Sequence, residues 1–273
     1  MNWKKRSTMQ YLGLSLTIAL ITFQGGSARR AQSRIVNGAE ALPGEFPYQI
    51  SLNVYGTHDC GGSILNKDYV LTAAHCIGSN DTSIMKIIAG TTNLYKLPES
   101  ATTHNVSEIH VHKEYDGDDG WKNDIAILKV KPPFNFNKYI APAKLPIKNA
   151  AVNPGDEAVV SGFGRIKKEG PLSPKLLKAQ VLIETLEYCQ REIIGDPVRP
   201  TNVCIRNATA DTGFCNGDSG GPLTVDETVV GIVSFSPNLG CAGFLRKPQV
   251  LTRVSAYIDW IYEQMAKGAK INQ

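Results

Sequence analysis

Past residue 34 the chain is a succession of short β-rich runs, and no other feature limits its fold so strongly. The runs are Tyr48–Leu52, Tyr69–Thr72, Met85–Ala89, Val106–His112, Ile125–Val130, Glu157–Ser161, Ala179–Ile183, Thr228–Phe235 and Gln249–Val254, with Gly, Pro, Asn and Asp clusters between them. Many short strands without alternating helices point to antiparallel barrels or sandwiches. One helix is expected at the end, where Val254, Tyr257, Ile258, Ile261 and Met265 fall at helical spacing and Ser255 is placed to cap the start. A soft boundary lies in the Pro-rich stretch from Pro132 to Pro154. The 273 residues suit one large all-β unit or two small ones. A hydrophobic fraction of 42% is enough for a real core.

The first residues read as an export signal. Lys4, Lys5 and Arg6 form a charged start, Tyr11 to Phe23 is a mostly apolar run without charges, and Gly26 and Ala28 suit cleavage after Ala28. The competing reading is a membrane anchor, but thirteen residues rise only about 20 Å as a helix, short of a ~30 Å hydrocarbon core. No other stretch is long and apolar enough to span a bilayer. Residues 1–34 carry six of the 29 basic residues and no acid, so the remainder has 23 bases against 25 acids, a net of −2. The basic pI of 8.6 therefore gives no case for nucleic acid. Six cysteines, Cys60, Cys76, Cys189, Cys204, Cys215 and Cys241, imply disulfides in an exported chain. They allow fifteen pairings, among which the sequence does not choose. The sequons at Asn80, Asn105 and Asn207 are glycosylation candidates.

Three motifs carry chemistry. In Gly217-Asp218-Ser219-Gly220-Gly221-Pro222, the glycines let backbone N–H groups converge beside a serine that needs a base to become a nucleophile. The same residues would also make a plain polar turn. In Leu71-Thr72-Ala73-Ala74-His75-Cys76, the histidine can shuttle protons near neutral pH, or be a satisfied core residue. In Asn123-Asp124-Ile125-Ala126-Ile127-Leu128, an Asp enters an apolar strand, where burial demands a partner, unless it only caps a turn. Singly, each is ambiguous.

Together they resemble the chymotrypsin family of serine proteases, from Arg34-Ile35-Val36-Asn37-Gly38 to Tyr257-Ile258-Asp259-Trp260-Ile261, in the order His75, Asp124, Ser219. The resemblance implies an all-β fold of two six-stranded antiparallel β-barrels with a C-terminal α-helix. After the signal peptide 1–28 read above, it implies an activation pro-segment 29–34, an N-terminal barrel 35–146, and a C-terminal barrel with the terminal helix 147–273. It implies catalysis by His75, Asp124 and Ser219, an oxyanion hole from the N–H groups of Gly217 and Ser219, and the pairings Cys60–Cys76, Cys189–Cys204 and Cys215–Cys241. Each disulfide would close a loop of about 15–27 residues and stabilise by roughly 3 kcal/mol. Cleavage after Arg34 would free the amine of Ile35 to pair with Asp218 and order the oxyanion hole. The expected protein is a secreted monomer, without cofactor or metal, acting on protein or peptide substrates. Its partners would be an activating protease and protein inhibitors, with no nucleic acid and no membrane.

The substrate pocket is expected to be built from Gly213, Phe214, Ser234, Ser236 and Gln249. Family members that cut after Lys or Arg carry an Asp six residues before the nucleophile, where this chain has Gly213. A cation buried there would lack a counter-charge. Phe214 and Gln249 stand where small residues are usual and should shorten the pocket, unless Phe214 packs away from it. The expectation is a neutral, restricted pocket of elastase-like or chymotrypsin-like character, made as a zymogen. The competing functional class is a catalytically weak or inert binding protein with a protease fold. A metal pair at His110 and His112 is conceivable, a solvated strand face the plainer reading.

Overall fold

The computed structural model describes residues 38–208, 213–237, 241 and 248–270. The chain divides into two compact units, Met1–Ala31 and Gln32–Gln273, and every described residue belongs to the second. The expected signal peptide and pro-segment, with Arg34 and Ile35, lie outside the described residues.

The unit is built from two closed antiparallel barrels of six strands each. The first contains β2 (Gln49–Val54), β3 (Thr57–Ile64), β4 (Tyr69–Thr72), β5 (Met85–Ala89), β6 (Thr102–Val111) and β7 (Ala126–Lys131), closed in the order β2-β3-β4-β7-β6-β5. The second contains β8 (Glu157–Gly162), β9 (Leu177–Glu184), β10 (Asn202–Asn207), β11 (Pro222–Val225), β12 (Thr228–Phe235) and β13 (Gln249–Arg253). It closes because β8 pairs with both β9 and β11. A short β1 (Ala39–Glu40) is added to the edge of β9. Helix α1 (Leu186–Glu192) precedes β10, and α2 (Ile258–Lys270) is the last described element.

Alternation is clearest in β9, where Leu177, Ala179, Val181 and Ile183 are buried and the residues between them are not. That is the two-residue period of a strand with one face on a core. Ile50, Leu52, Ile64, Leu71, Ile87 and Ile127 fill the first barrel at 1% exposure or less. Each such side chain stabilises by about 1.5–3 kcal/mol relative to exposure. Val160, Val181, Ile205, Leu223 and Leu251 do the same in the second barrel.

The expected strands are present with ends shifted by a few residues at most. The expected runs do not include β1, β3, β10 or β11, and helix α1 is a second helix, beyond the one expected. β3 reads Thr-His-Asp-Cys-Gly-Gly-Ser-Ile, whose polar and glycine content hides a strand that is buried over its last five residues. α1 is seven residues long and is started by Thr185, whose hydroxyl accepts from Tyr188 N at 3.0 Å. Ser255 does not cap α2. It lies in a 3-10 turn, Val254–Ala256, and its hydroxyl donates to Ala150 O at 2.8 Å.

The chain ends are exchanged between the halves. β1 joins the second barrel, whereas Val254, Tyr257, Ile258 and Ile261 are buried in the first barrel's core cluster. The disulfides join Cys60 to Cys76, Cys189 to Cys204 and Cys215 to Cys241.

The barrels meet closely at Gly61, where an added Cβ would lie 2.9 Å from Gly221 Cα. Gly61→Ala is therefore expected to lower stability by about 1–3 kcal/mol, as measured by the urea midpoint, and to lower activity with it.

Candidate active site

Asp124 organises the site. It follows Asn123, is fully buried, and leads directly into β7. Its Oδ2 takes His75 Nδ1 at 2.8 Å and the Ser234 hydroxyl at 2.5 Å, and its Oδ1 takes the backbone N–H of His75 at 2.9 Å. Thr252 Oγ1 donates to its carbonyl at 2.8 Å. A buried carboxylate needs such donors, because nothing else replaces its lost water. His75 sits in the 3-10 turn Ala74–Cys76 after β4, and the Cys60–Cys76 disulfide ties that turn to β3. With Nδ1 held by Asp124, the other ring nitrogen is left for the cleft.

Ser219 lies on a turn that glycine makes feasible. Gly217 and Gly220 have φ of +93° and +74°. A Cβ at Gly220 would also fall 2.2 Å from Thr72 Oγ1. Gly61 N donates to Ser219 O at 2.7 Å and Gly220 N to Val233 O at 2.8 Å, so both barrels fix the turn. Among the described residues, the N–H groups of Gly217 and Ser219 have no internal acceptor, and the Ser219 hydroxyl makes no hydrogen bond. His75 and Ser219 line one cleft of about 530 Å3, together with Trp121, Asn216, Ser234 and Ser236. A larger groove of about 1080 Å3, lined by residues such as Tyr48, Lys144 and Lys178, shares no residue with this cleft.

Asp218 points away from the cleft into the protein. It is fully buried and accepts from Gly164 N at 2.7 Å and Cys215 N at 3.0 Å. Burial outweighs these donors and pushes its pKa up to about 7. No cation pairs with it among the described residues.

Two residues at the site, His58 and Trp121, carry no signal in the sequence, and a third, Ser234, has a role beyond the one expected. Ser234, expected as pocket wall, lines the cleft but directs its hydroxyl to Asp124. His58 lies in the unrecognised β3 and bridges Ser51 Oγ at 2.7 Å and Gly217 O at 2.8 Å. Burial lowers its pKa. Trp121 sets its ring edge against the His75 imidazole, with centroids 5.1 Å apart. Its φ of +54° is left-handed, a conformation that costs about 1–3 kcal/mol in a bulky residue. No pattern of hydrophobicity signals such a residue.

The pocket differs in detail from expectation. Gln249 is 2% exposed and is not among the cleft-lining residues. Its amide pairs with the backbone of Phe214, accepting from N at 3.2 Å and donating to O at 2.9 Å. Phe214 lines the cleft and also belongs to the second barrel's core, and Gly213 is buried and is not among the cleft-lining residues. Ser236 lines the cleft.

His110 and His112, conceivable as a metal pair but more plainly read as a solvated strand face, are each half-buried with their rings engaged elsewhere. His112 packs on Tyr257 and Trp260, while His110 lies 3.4 Å from Glu108. Among the described residues, the one cluster close enough to share an ion is Cys60, His75 and Cys76, whose sulfurs form a disulfide. Asn80 and Asn105 are exposed, whereas the amide atoms of Asn207 are buried.

Paired barrels that present an Asp-held imidazole and a serine turn to one cleft define a serine protease of the chymotrypsin type. Comparison with known proteins agrees. The trypsin family model matches residues 35–261. Human chymotrypsin-like elastase family member 3B is 34% identical over 270 residues, covering 94% of this chain and 98% of that protein. The structure of human heparin binding protein superposes with a TM-score of 0.75 at 31% identity, over 84% of this chain and 96% of that one. The chain belongs to the trypsin family and is a serine endopeptidase.

Ser234→Ala removes a donor to a buried carboxylate, which is worth about 1.5–3 kcal/mol. It should lower kcat by about ten- to a hundredfold with little change in KM, as steady-state kinetics on a peptide substrate would report.

Proposed function

We propose that the protein is a secreted endopeptidase, made as a zymogen, that cleaves after small or medium apolar residues through an acyl-enzyme. Ser219 Oγ attacks the scissile carbonyl, and His75 takes the hydroxyl proton and returns it to the leaving amine. Asp124 holds the imidazole tautomer and steadies its charged form. The N–H groups of Gly217 and Ser219 stabilise the oxyanion. The observation that carries this reading is the 2.8 Å bond from His75 Nδ1 to buried Asp124, beside a cleft that Ser219 also lines. Labelling of Ser219 by a fluorophosphonate after processing is the expected result. An unlabelled, correctly folded chain would favour the inert binding module instead.

A neutral, restricted pocket is supported by Phe214 in the cleft wall, by an uncharged, buried Gly213, and by the elastase name of the human relative. Cleavage of a peptide library should concentrate after Ala, Val, Leu and similar residues, and cleavage chiefly after Lys, Arg or Asp would contradict this. Secretion is supported by the export-like first 28 residues and by three disulfides.

Zymogen activation is supported by Asp218, a buried carboxylate that accepts from only two N–H donors and has no cation among the described residues, as befits a partner for a freed α-amine. Until that amine arrives, Asp218 holds its proton to higher pH in the folded chain than in the unfolded one. Stability of an uncleavable Arg34→Gln chain should therefore fall as pH rises from near 3.8 to about 7 and level off above. Adding Asp218→Asn should flatten that fall, which thermal midpoints across the range would test.

A further inference from the structure

We infer that Arg199 is a positioning residue of the cleft. By clamping the segment 116–123 to the second barrel, it holds Trp121 in its left-handed conformation against His75. It thereby sets the wall that receives substrate residues beyond those flanking the scissile bond. The inference rests on the serine endopeptidase reading.

Arg199 lies between α1 and β10, on the second-barrel side. Its Nη2 meets Asp119 Oδ1 at 2.5 Å, and its Nη1 meets Gly120 O at 3.4 Å and Pro197 O at 3.1 Å. The guanidinium thus reaches both the first-barrel segment and its own. The contact beneath it is tight, since a Cβ on Gly120 would lie 2.5 Å from Pro197 Cδ. Asp119 alone, with its side chain 45% exposed, would make a weak ion pair. The planar fork, which serves a carboxylate and two carbonyls at once, is what lysine cannot copy.

Trp121 needs such restraint. A strained backbone persists only where its surroundings over-determine it. Here Gly120, Trp121 and Asn123 all have positive φ, at +55°, +54° and +53°. The segment is closed internally by reciprocal backbone bonds between Asp116 and Lys122 at 3.0 Å. It is tied externally on both sides of Trp121, by Arg199 before it and by Tyr257 OH to Asn123 Oδ1 at 2.8 Å after it. The indole then packs against a second-barrel cluster that includes Ile193, Val198 and Phe235, and lines the cleft with His75 and Asp196. Freed of Arg199, residues 119 and 120 lose their polar tie to the second barrel, and the indole is left with apolar packing alone to hold its place in the wall. Asp124 and His75 keep their own bonds.

The test compares a minimal ester substrate with a peptide long enough to span the cleft, with rates normalised to active sites titrated by fluorophosphonate. Arg199→Met should lower kcat/KM on the long peptide about tenfold, mainly through KM, while the ester changes less than about twofold. Arg199→Lys should fall between wild type and Arg199→Met. Trp121→Ala should lower activity on the long peptide as much, and adding Arg199→Met to it should lower it no further. Equal losses on both substrates, additive effects in the double variant, or a lowered melting midpoint with unchanged kinetics would each overturn the inference. A processed wild-type chain that takes up no label overturns the protease reading itself, and this inference with it.

Discussion

Asp124 is a carboxylate sealed from water, and the rest of the site follows from what that burial demands. Its donors come from His75 in the first barrel and Ser234 in the second, and Thr252 of the second barrel holds its carbonyl. Satisfying this one group therefore fixes the imidazole and also registers β12 and β13 against the mouth of the first barrel. Stability and catalytic alignment share the same hydrogen bonds. Removing a donor exposes the cost of a buried acceptor more than it loses a favourable contact.

The serine turn is fixed by a second cross-barrel arrangement. Gly61 of β3 donates to Ser219 O while Thr72 of β4 donates to Gly61 O at 2.9 Å. His58, also on β3, holds Gly217 O. The strand that looked least like one in the sequence thus touches the serine turn at two points. Gly61 answers to the second barrel, where Gly221 leaves no room for a side chain, while Gly62 answers to Leu71 and Ile50 of its own barrel.

Most of the fold was legible because barrel strands advertise themselves by β-branched, half-buried runs, as Tyr69–Thr72, Met85–Ala89 and Thr228–Phe235 do to the residue. β3 and β10 were not, since their residues answer to neighbours across the barrel interface or to a disulfide. At the site, His75, Asp124 and Ser219 stood out through motif and order. Ser234 was placed in the wall without its bond to Asp124, and Gln249 was placed in the wall although its amide braces the backbone of Phe214. Those are facts of side-chain direction, which sequence spacing does not carry. Trp121 was invisible for a related reason: its left-handed backbone is imposed by contacts some eighty residues away, such as Arg199 to Asp119.

The exchanged chain ends have a consequence of their own. β1 belongs to the second barrel's sheet, and the residues leading into and starting α2 are buried in the first barrel's core. The connection between the barrels, residues 132–156, is rich in exposed positions and so is a natural place for a protease to nick. A break there would not free either half, because each piece keeps an end embedded in the other. The two barrels are interlocked parts, so a single cut in the connection would leave them held by packing rather than by the chain.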